Sequence, residues 1–229
     1  MSIRLVQRLS LFAIAALLFL LAVPGWAGEV PVYAQATNNL GGYASQNDTA
    51  GLGNFATTYD NFTLGSTAQV NQVDWVGSYI TGVGGITSFT VDFWSNSANA
   101  PNALLSSYVV SGNAGESFLG NDALGNPTYG YVLGLGSAFT AAAGTEYWMS
   151  IVPNVGFPPQ WLWETSSTGD GNAYQCYFGA CGNIGADLAF QLDSASGVPE
   201  PGILTLLVPG MLVPGILGFA VSLRRKLLG

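Results

Sequence analysis

The sequence has no histidine, and between Arg8 and Arg224 it has no lysine or arginine either. Charged residues make up only 8% of its 229 positions, and cysteine occurs twice. Each shortage removes a class of chemistry. Nucleic-acid and phosphate recognition draws mainly on Lys and Arg, so neither partner suits this chain. Arginine clamps on carboxylates are excluded for the same reason. Ser-His-Asp and Cys-His machinery needs an imidazole. Zinc sites of the usual kinds need His or several Cys.

The charge that is present is acidic. Twelve of the thirteen carboxylate side chains lie between Glu29 and Asp193, with no cationic side chain among them. Such a surface favours solubility and cations and disfavours anionic partners. An aromatic share of 12% is ample for a packed core, and disordered chains lack that apolar mass.

All five basic residues sit in two short flanks, and both flanks read as addresses. Arg4 and Arg8 precede an apolar run from Leu11 to Val23, which Pro24-Gly25 breaks. Gly25-Trp26-Ala27 then supplies a small-x-small site. Residues 1–27 are thus expected to be a helical secretory signal cleaved after Ala27, with Ala36 as the alternative. Residues 203–223 are long enough to cross a bilayer as a helix, at about 20 residues. Pro209 and Pro214 would cost ~3 kcal/mol each in a soluble helix, and membrane helices tolerate proline better. Arg224, Arg225 and Lys226 form a stop-transfer cluster that stays cytoplasmic. The expected division is a signal over 1–27, an ectodomain over 28–196 and a sorting and anchor segment over 197–229.

Val198-Pro199-Glu200-Pro201, the apolar run and the basic cluster together resemble the PEP-CTERM sorting signal of Gram-negative bacteria. In that family the Pro-Glu-Pro motif is read by an exosortase, a membrane-embedded processing enzyme. The resemblance implies an exosortase as partner and a transient inner-membrane anchor. It also implies delivery to the cell surface or an exopolysaccharide matrix.

Between the flanks the pattern is β throughout. Phe89, Val91 and Phe93 alternate with Thr90 and Asp92, which leaves Trp94 on the face opposite the three apolar residues, and Leu188, Phe190 and Leu192 alternate likewise. Val73, Trp75, Gly77 and Tyr79 form a third period-two set, and Tyr147, Met149 and Ile151 a fourth. Further strands are expected at 104–110, 128–134 and 173–178. Residues 28–59, rich in Gly, Asn, Thr and Ala, are expected to be an extended lead-in or edge strand. No sustained helical period with caps occurs. The expected fold class is all-β, an antiparallel β-sandwich or jelly roll. Residues 61–192 resemble a group of PEP-CTERM ectodomains of unassigned function, through segments such as "VDWVGSYI", "FTVDFWSNSANAPNALL" and "DLAFQL". That likeness implies a shared β-sandwich and no activity.

Three chemistries remain for the ectodomain. The first is sugar binding, since flat indoles stack on sugar rings while carboxylates and amides bond the hydroxyls. Trp161 and Trp163 share one face of any strand, and Glu164, Asp170 and Asn172 follow them; core packing is the competing role. The second is a structural calcium ion, the one cofactor considered, because buried carboxylates without cationic partners want a metal or backbone donors. The third is glycoside hydrolysis by Glu164 with Asp170 or Glu146, the least favoured. Cys176 and Cys181 enclose four residues; export through an oxidising compartment would let them form a disulfide. The function expected is a structural or adhesive matrix protein, not an enzyme, with a carbohydrate-binding module as alternative.

Overall fold

The structure is a computed structural model that describes residues 28–195. The signal segment, the Val198–Pro201 motif, the apolar run at 203–223 and the basic residues at 224–226 lie outside the described residues. Residues 28–196 form one compact unit.

Fifteen strands and no helix make up the described residues. The first five are β1 (Glu29–Gln35), β2 (Thr37–Ala44), β3 (Gln46–Asp48), β4 (Gly53–Thr63) and β5 (Ala68–Ile80). Next come β6 (Ser88–Ser97), β7 (Ala100–Ser111), β8 (Ser117–Asn121), β9 (Pro127–Ala141) and β10 (Glu146–Val155). The last are β11 (Gln160–Ser166), β12 (Tyr174–Tyr177), β13 (Ala180–Asn183), β14 (Asp187–Leu188) and β15 (Phe190–Ala195).

They form two sheets. The first runs β1-β15-β5-β11-β14, with β2 on β11, β9 on β5 and β8 on β9. The second runs β13-β12-β4-β3-β10-β6-β7, with β4 also pairing β10. The pairings are antiparallel except for a short parallel one, where Asn47 and Asp48 of β3 meet Asn154 and Val155 of β10.

Local sequence explains the tight turns. Ala98 and Asn99, at φ 53° and 61°, join β6 to β7, and Phe178 and Gly179, at 46° and 82°, join β12 to β13. Two consecutive positive φ values mark the primed hairpin turns, whose twist suits the flanking strands.

The period-two sets determine the core. Phe89, Val91 and Phe93 of the second sheet are fully buried, as are Val73, Trp161, Trp163 and Leu192 of the first, and one apolar cluster unites them. Aromatic rings cross between the sheets: Trp75 meets Phe89 edge-on at 5.1 Å, and Phe93 stacks on Phe139 at 4.2 Å. Edge-to-face and stacked ring pairs add specific contacts to the area they bury.

The N-terminal stretch corrects one expectation. β1 and β2 are indeed edge strands, each paired on one side only, but β3 and the start of β4 lie inside the second sheet, with β3 between β4 and β10. Gly42 of β2 shows why a glycine-rich segment fits against β11: a Cβ at that residue would lie 2.3 Å from the Trp163 carbonyl oxygen. The small residues permit close backbone approach.

Candidate functional site

The residues singled out for sugar binding do not share a surface. Trp161 and Trp163 face one side of β11 together, but that side is the core, and both are 0% exposed. Trp161 Nε1 donates to the Tyr131 hydroxyl at 3.1 Å, and Trp163 Nε1 to the Ala189 carbonyl at 3.0 Å. Neither indole presents a face to a ligand, and the stacking expectation for these two residues is corrected accordingly. Two-residue spacing established a common face; only the opposite sheet decided that the face is covered.

Glu164 points away from the core and is nevertheless fully buried. Neither of its carboxyl oxygens makes a well-formed hydrogen bond, although the Ser78 hydroxyl and the Gly41 N–H lie near enough to favour its charge. Burial pushes its pKa up, and the nearby Asp122 carboxylate adds to the rise. Asn172 is buried and donates from Nδ2 to Asn99 Oδ1 at 2.8 Å. Asp170 is exposed at a loop, on the rim of a recess. Cys176 and Cys181 are bonded to each other, directly opposite one another on β12 and β13.

The recess beside Asp170 has a volume of about 400 Å³ and is lined by Tyr33, Asn61, Asn99 and Glu146 among others. Asn61 Nδ2 bridges two carboxylates, donating to Glu146 Oε1 at 2.7 Å and to Asp170 Oδ2 at 3.0 Å. Asn96 Nδ2 holds the other Glu146 oxygen at 2.6 Å. The pair is thus satisfied by amides. Among the described residues, no three Asp, Glu or Cys side chains converge to hold a metal ion.

A second concavity, of about 370 Å³, lies on the first sheet between residues 34–37 and 115–117. Its one ionisable carboxylate, Asp74, has its pKa pushed up to about 6 by burial and by Asp193.

The third concavity has the side chains best suited to a ligand. It is a groove of about 290 Å³ along the outer face of the second sheet. β4 contributes Thr57 and Tyr59, β10 contributes Ser150, Val152 and Asn154, and β6 contributes Thr90, Asp92 and Trp94. Asn47 and Asn54 close one end. These positions alternate with the core-facing set, so the pleat that buries Phe89, Val91 and Phe93 turns Thr90, Asp92 and Trp94 outward. Tyr59 and Trp94 meet edge-to-face at 5.8 Å, and Trp94 Nε1 donates to Ser150 Oγ at 3.0 Å. Burial raises the pKa of Asp92, and burial together with Asp92 raises that of Tyr59.

The alternation in β6 was the legible signal for Trp94 and Asp92. Tyr59, Asn47 and Asn54 carried none: the short β3–β4 hairpin that sets Asn47 opposite Asn54 shows no clean alternation, and Tyr59 reaches the groove only through the pairing of β4 with the remote β10.

No protein-family model matches the chain, and no curated protein matches its sequence.

Proposed function

We propose that this is an exported protein sorted by an exosortase, with a structural or adhesive role in an exopolysaccharide layer. Its 28–196 segment is read as a β-sandwich ectodomain held at the inner membrane by the 203–223 segment before processing. The observation that carries this reading is the order of Val198-Pro199-Glu200-Pro201, apolar run and Arg224-Arg225-Lys226. Supporting it are the Cys176–Cys181 bond, which suits an oxidising compartment, and an ectodomain without a cationic side chain. The role is read as non-catalytic: the chain has no imidazole, its 28–195 segment has no arginine or lysine for anion chemistry, and the Glu146–Asp170 pair is tied up by amides.

The test is intact-mass analysis of the exported protein from cells with and without an exosortase. Loss of residues C-terminal to the Pro-Glu-Pro motif, only when the enzyme is present, is the expected result. An intact tail in both strains overturns the sorting proposal.

The second-sheet groove favours a second reading, a carbohydrate-binding module. It combines half-buried aromatic rings with amide, hydroxyl and carboxylate groups, the mixture that concave ligand sites use to fix orientation.

A further inference from the structure

The outer face of the second sheet carries a row of polar and aromatic groups that the fold itself does not need. On β6, the core requires Phe89, Val91 and Phe93, while the intervening Thr90, Asp92 and Trp94 face outward onto the groove. The same holds on β10, where Met149 and Ile151 are core and Ser150, Val152 and Asn154 line the groove. Three adjacent strands therefore aim their outward side chains into one concavity. Direct cross-strand partners bring Tyr59, Ser150 and Asp92 side by side.

The hydrogen bonding within the groove is uneven. Asn154 receives a bond from Asn47 and donates to Ser88 Oγ at 2.6 Å, and Thr57 Oγ1 donates to Asn54 Oδ1 at 3.1 Å. Asp92 is the exception: Oδ1 is buried without a partner, no group lining the groove donates to the carboxyl, and only the Ser107 hydroxyl across the strand pair on β7 favours its charge. A buried acceptor without a donor is destabilising, and a ligand that supplies the donor recovers that loss. Among the described residues no cation can pair with it, because none occurs between Arg8 and Arg224. The carboxyl turns about a soft terminal torsion, so either oxygen can meet a donor that enters the groove.

We propose that this groove binds an uncharged glycan. The proposal rests on the carbohydrate-binding reading and extends it by naming the site and the ligand's charge class. The C–H face of a sugar ring packs on Trp94 and Tyr59, and its hydroxyls donate to Asp92 and exchange bonds with Asn47, Asn54, Thr90 and Asn154. Hydroxyl groups fit because each both donates and accepts, matching a lining that mixes amides, hydroxyls and one acceptor-only carboxylate. A uronate or sulfated glycan is disfavoured, since Asp92 would repel it and no Lys or Arg offsets that repulsion.

The test is titration calorimetry of the full-length protein in detergent with cellohexaose, laminarihexaose and maltohexaose, and with hexagalacturonate as the anionic control. At least one neutral hexasaccharide should bind saturably, hexagalacturonate should not, and chelator should leave the affinity unchanged. Trp94→Ala should weaken binding at least tenfold, and Asp92→Asn several-fold. Asn54→Met, at an exposed position, fills the groove without touching the core and keeps the test valid if Trp94→Ala fails to fold. Neutral-glycan binding that none of these variants alters overturns the site but leaves the carbohydrate reading standing. Preference for hexagalacturonate overturns the uncharged-glycan proposal and leaves the carbohydrate reading standing, whereas absence of binding to all four probes overturns both. The export proposal is untouched by either result, because tail mass reports on it separately.

Discussion

Trp161 lies directly against Gly77: a Cβ built on that glycine would fall 2.3 Å from Cζ2 of the indole. The two residues belong to paired strands, with Trp161 opposite Tyr79 and Gly77 opposite Trp163. The missing side chain on β5 is thus the space into which one of the two β11 tryptophans folds. Gly77→Ala is expected to destabilise the domain by about 1–3 kcal/mol through overpacking. Trp161→Ala should cost about 3–5 kcal/mol by leaving a cavity. Because Trp161 and Gly77 are in contact, Trp161→Ala should relieve much of the Gly77→Ala penalty, giving non-additive losses. Urea unfolding of the four proteins measures the coupling; strictly additive losses would show that the contact carries no strain.

The buried carboxyls set the pH dependence. Burial raises the pKa of Glu164 and Asp92, takes Asp74 up to about 6 and takes Asp60 well above its ordinary 3.8. A group whose folded pKa exceeds its unfolded value contributes stability that is present below the unfolded value and is lost as pH rises through the folded one. The melting temperature should therefore fall as pH rises from about 4 to 7. Glu164→Gln and Asp74→Asn should each flatten that fall. A melting temperature that climbs steadily over the same range would contradict the assignment.

Asp48 acts with the opposite sign. Its carboxylate accepts backbone N–H bonds from Ala50 at 2.8 Å, Leu52 at 2.6 Å and Phe157 at 2.7 Å. The Leu52 N–H, followed by those of Phe157 and Ala50, holds its pKa below 3.8. Its contribution is present above the unfolded value and lost as pH falls through the folded one. Asp48→Ala should lower the melting temperature at pH 7 and narrow its gap from wild type at pH 3. An equal gap at both values would show that the charge is irrelevant to the turn.

The Cys176–Cys181 bond closes a loop of a few residues, so the chain-entropy account assigns it only about 2 kcal/mol. Replacing both cysteines with serine should leave the domain folded, with a modest drop in unfolding midpoint. Complete unfolding of the double variant would show that the β12–β13 hairpin holds more of the second sheet than its local pairing implies.

Element type was legible wherever one face was buried and the other was not. The alternations at Phe89–Phe93 and Tyr147–Ile151 marked β6 and β10 because a pleated strand turns successive side chains to opposite faces. The region at 28–59 was legible only as extended chain. Its hydrophobic period is weak, and its pairing depends on close approaches such as Gly42 against Trp163. Two outcomes divide the candidate site. Trp94 could be placed on the outward side of its strand, whereas Trp161 and Trp163 offered a shared face with no indication of what lay over it. Trp148 marks the limit of the alternation rule: it faces outward beside Trp94, yet it is fully buried, with Nε1 bonded to Asn96 Oδ1 at 3.0 Å.

The sequence by itself determined the strand-forming periods, the cation-free acidic character of residues 28–195 and the chemistries that absence forbids, because all three are properties of residue type and spacing. Tertiary structure decided which face of each strand the opposite sheet would cover. It also decided that Glu164 would be buried without a well-formed hydrogen bond, and that Tyr59, Asp92, Trp94 and Asn154 would line one groove. Those outcomes depend on which remote strands hydrogen-bond side by side, and that pairing is a long-range choice no local pattern encodes.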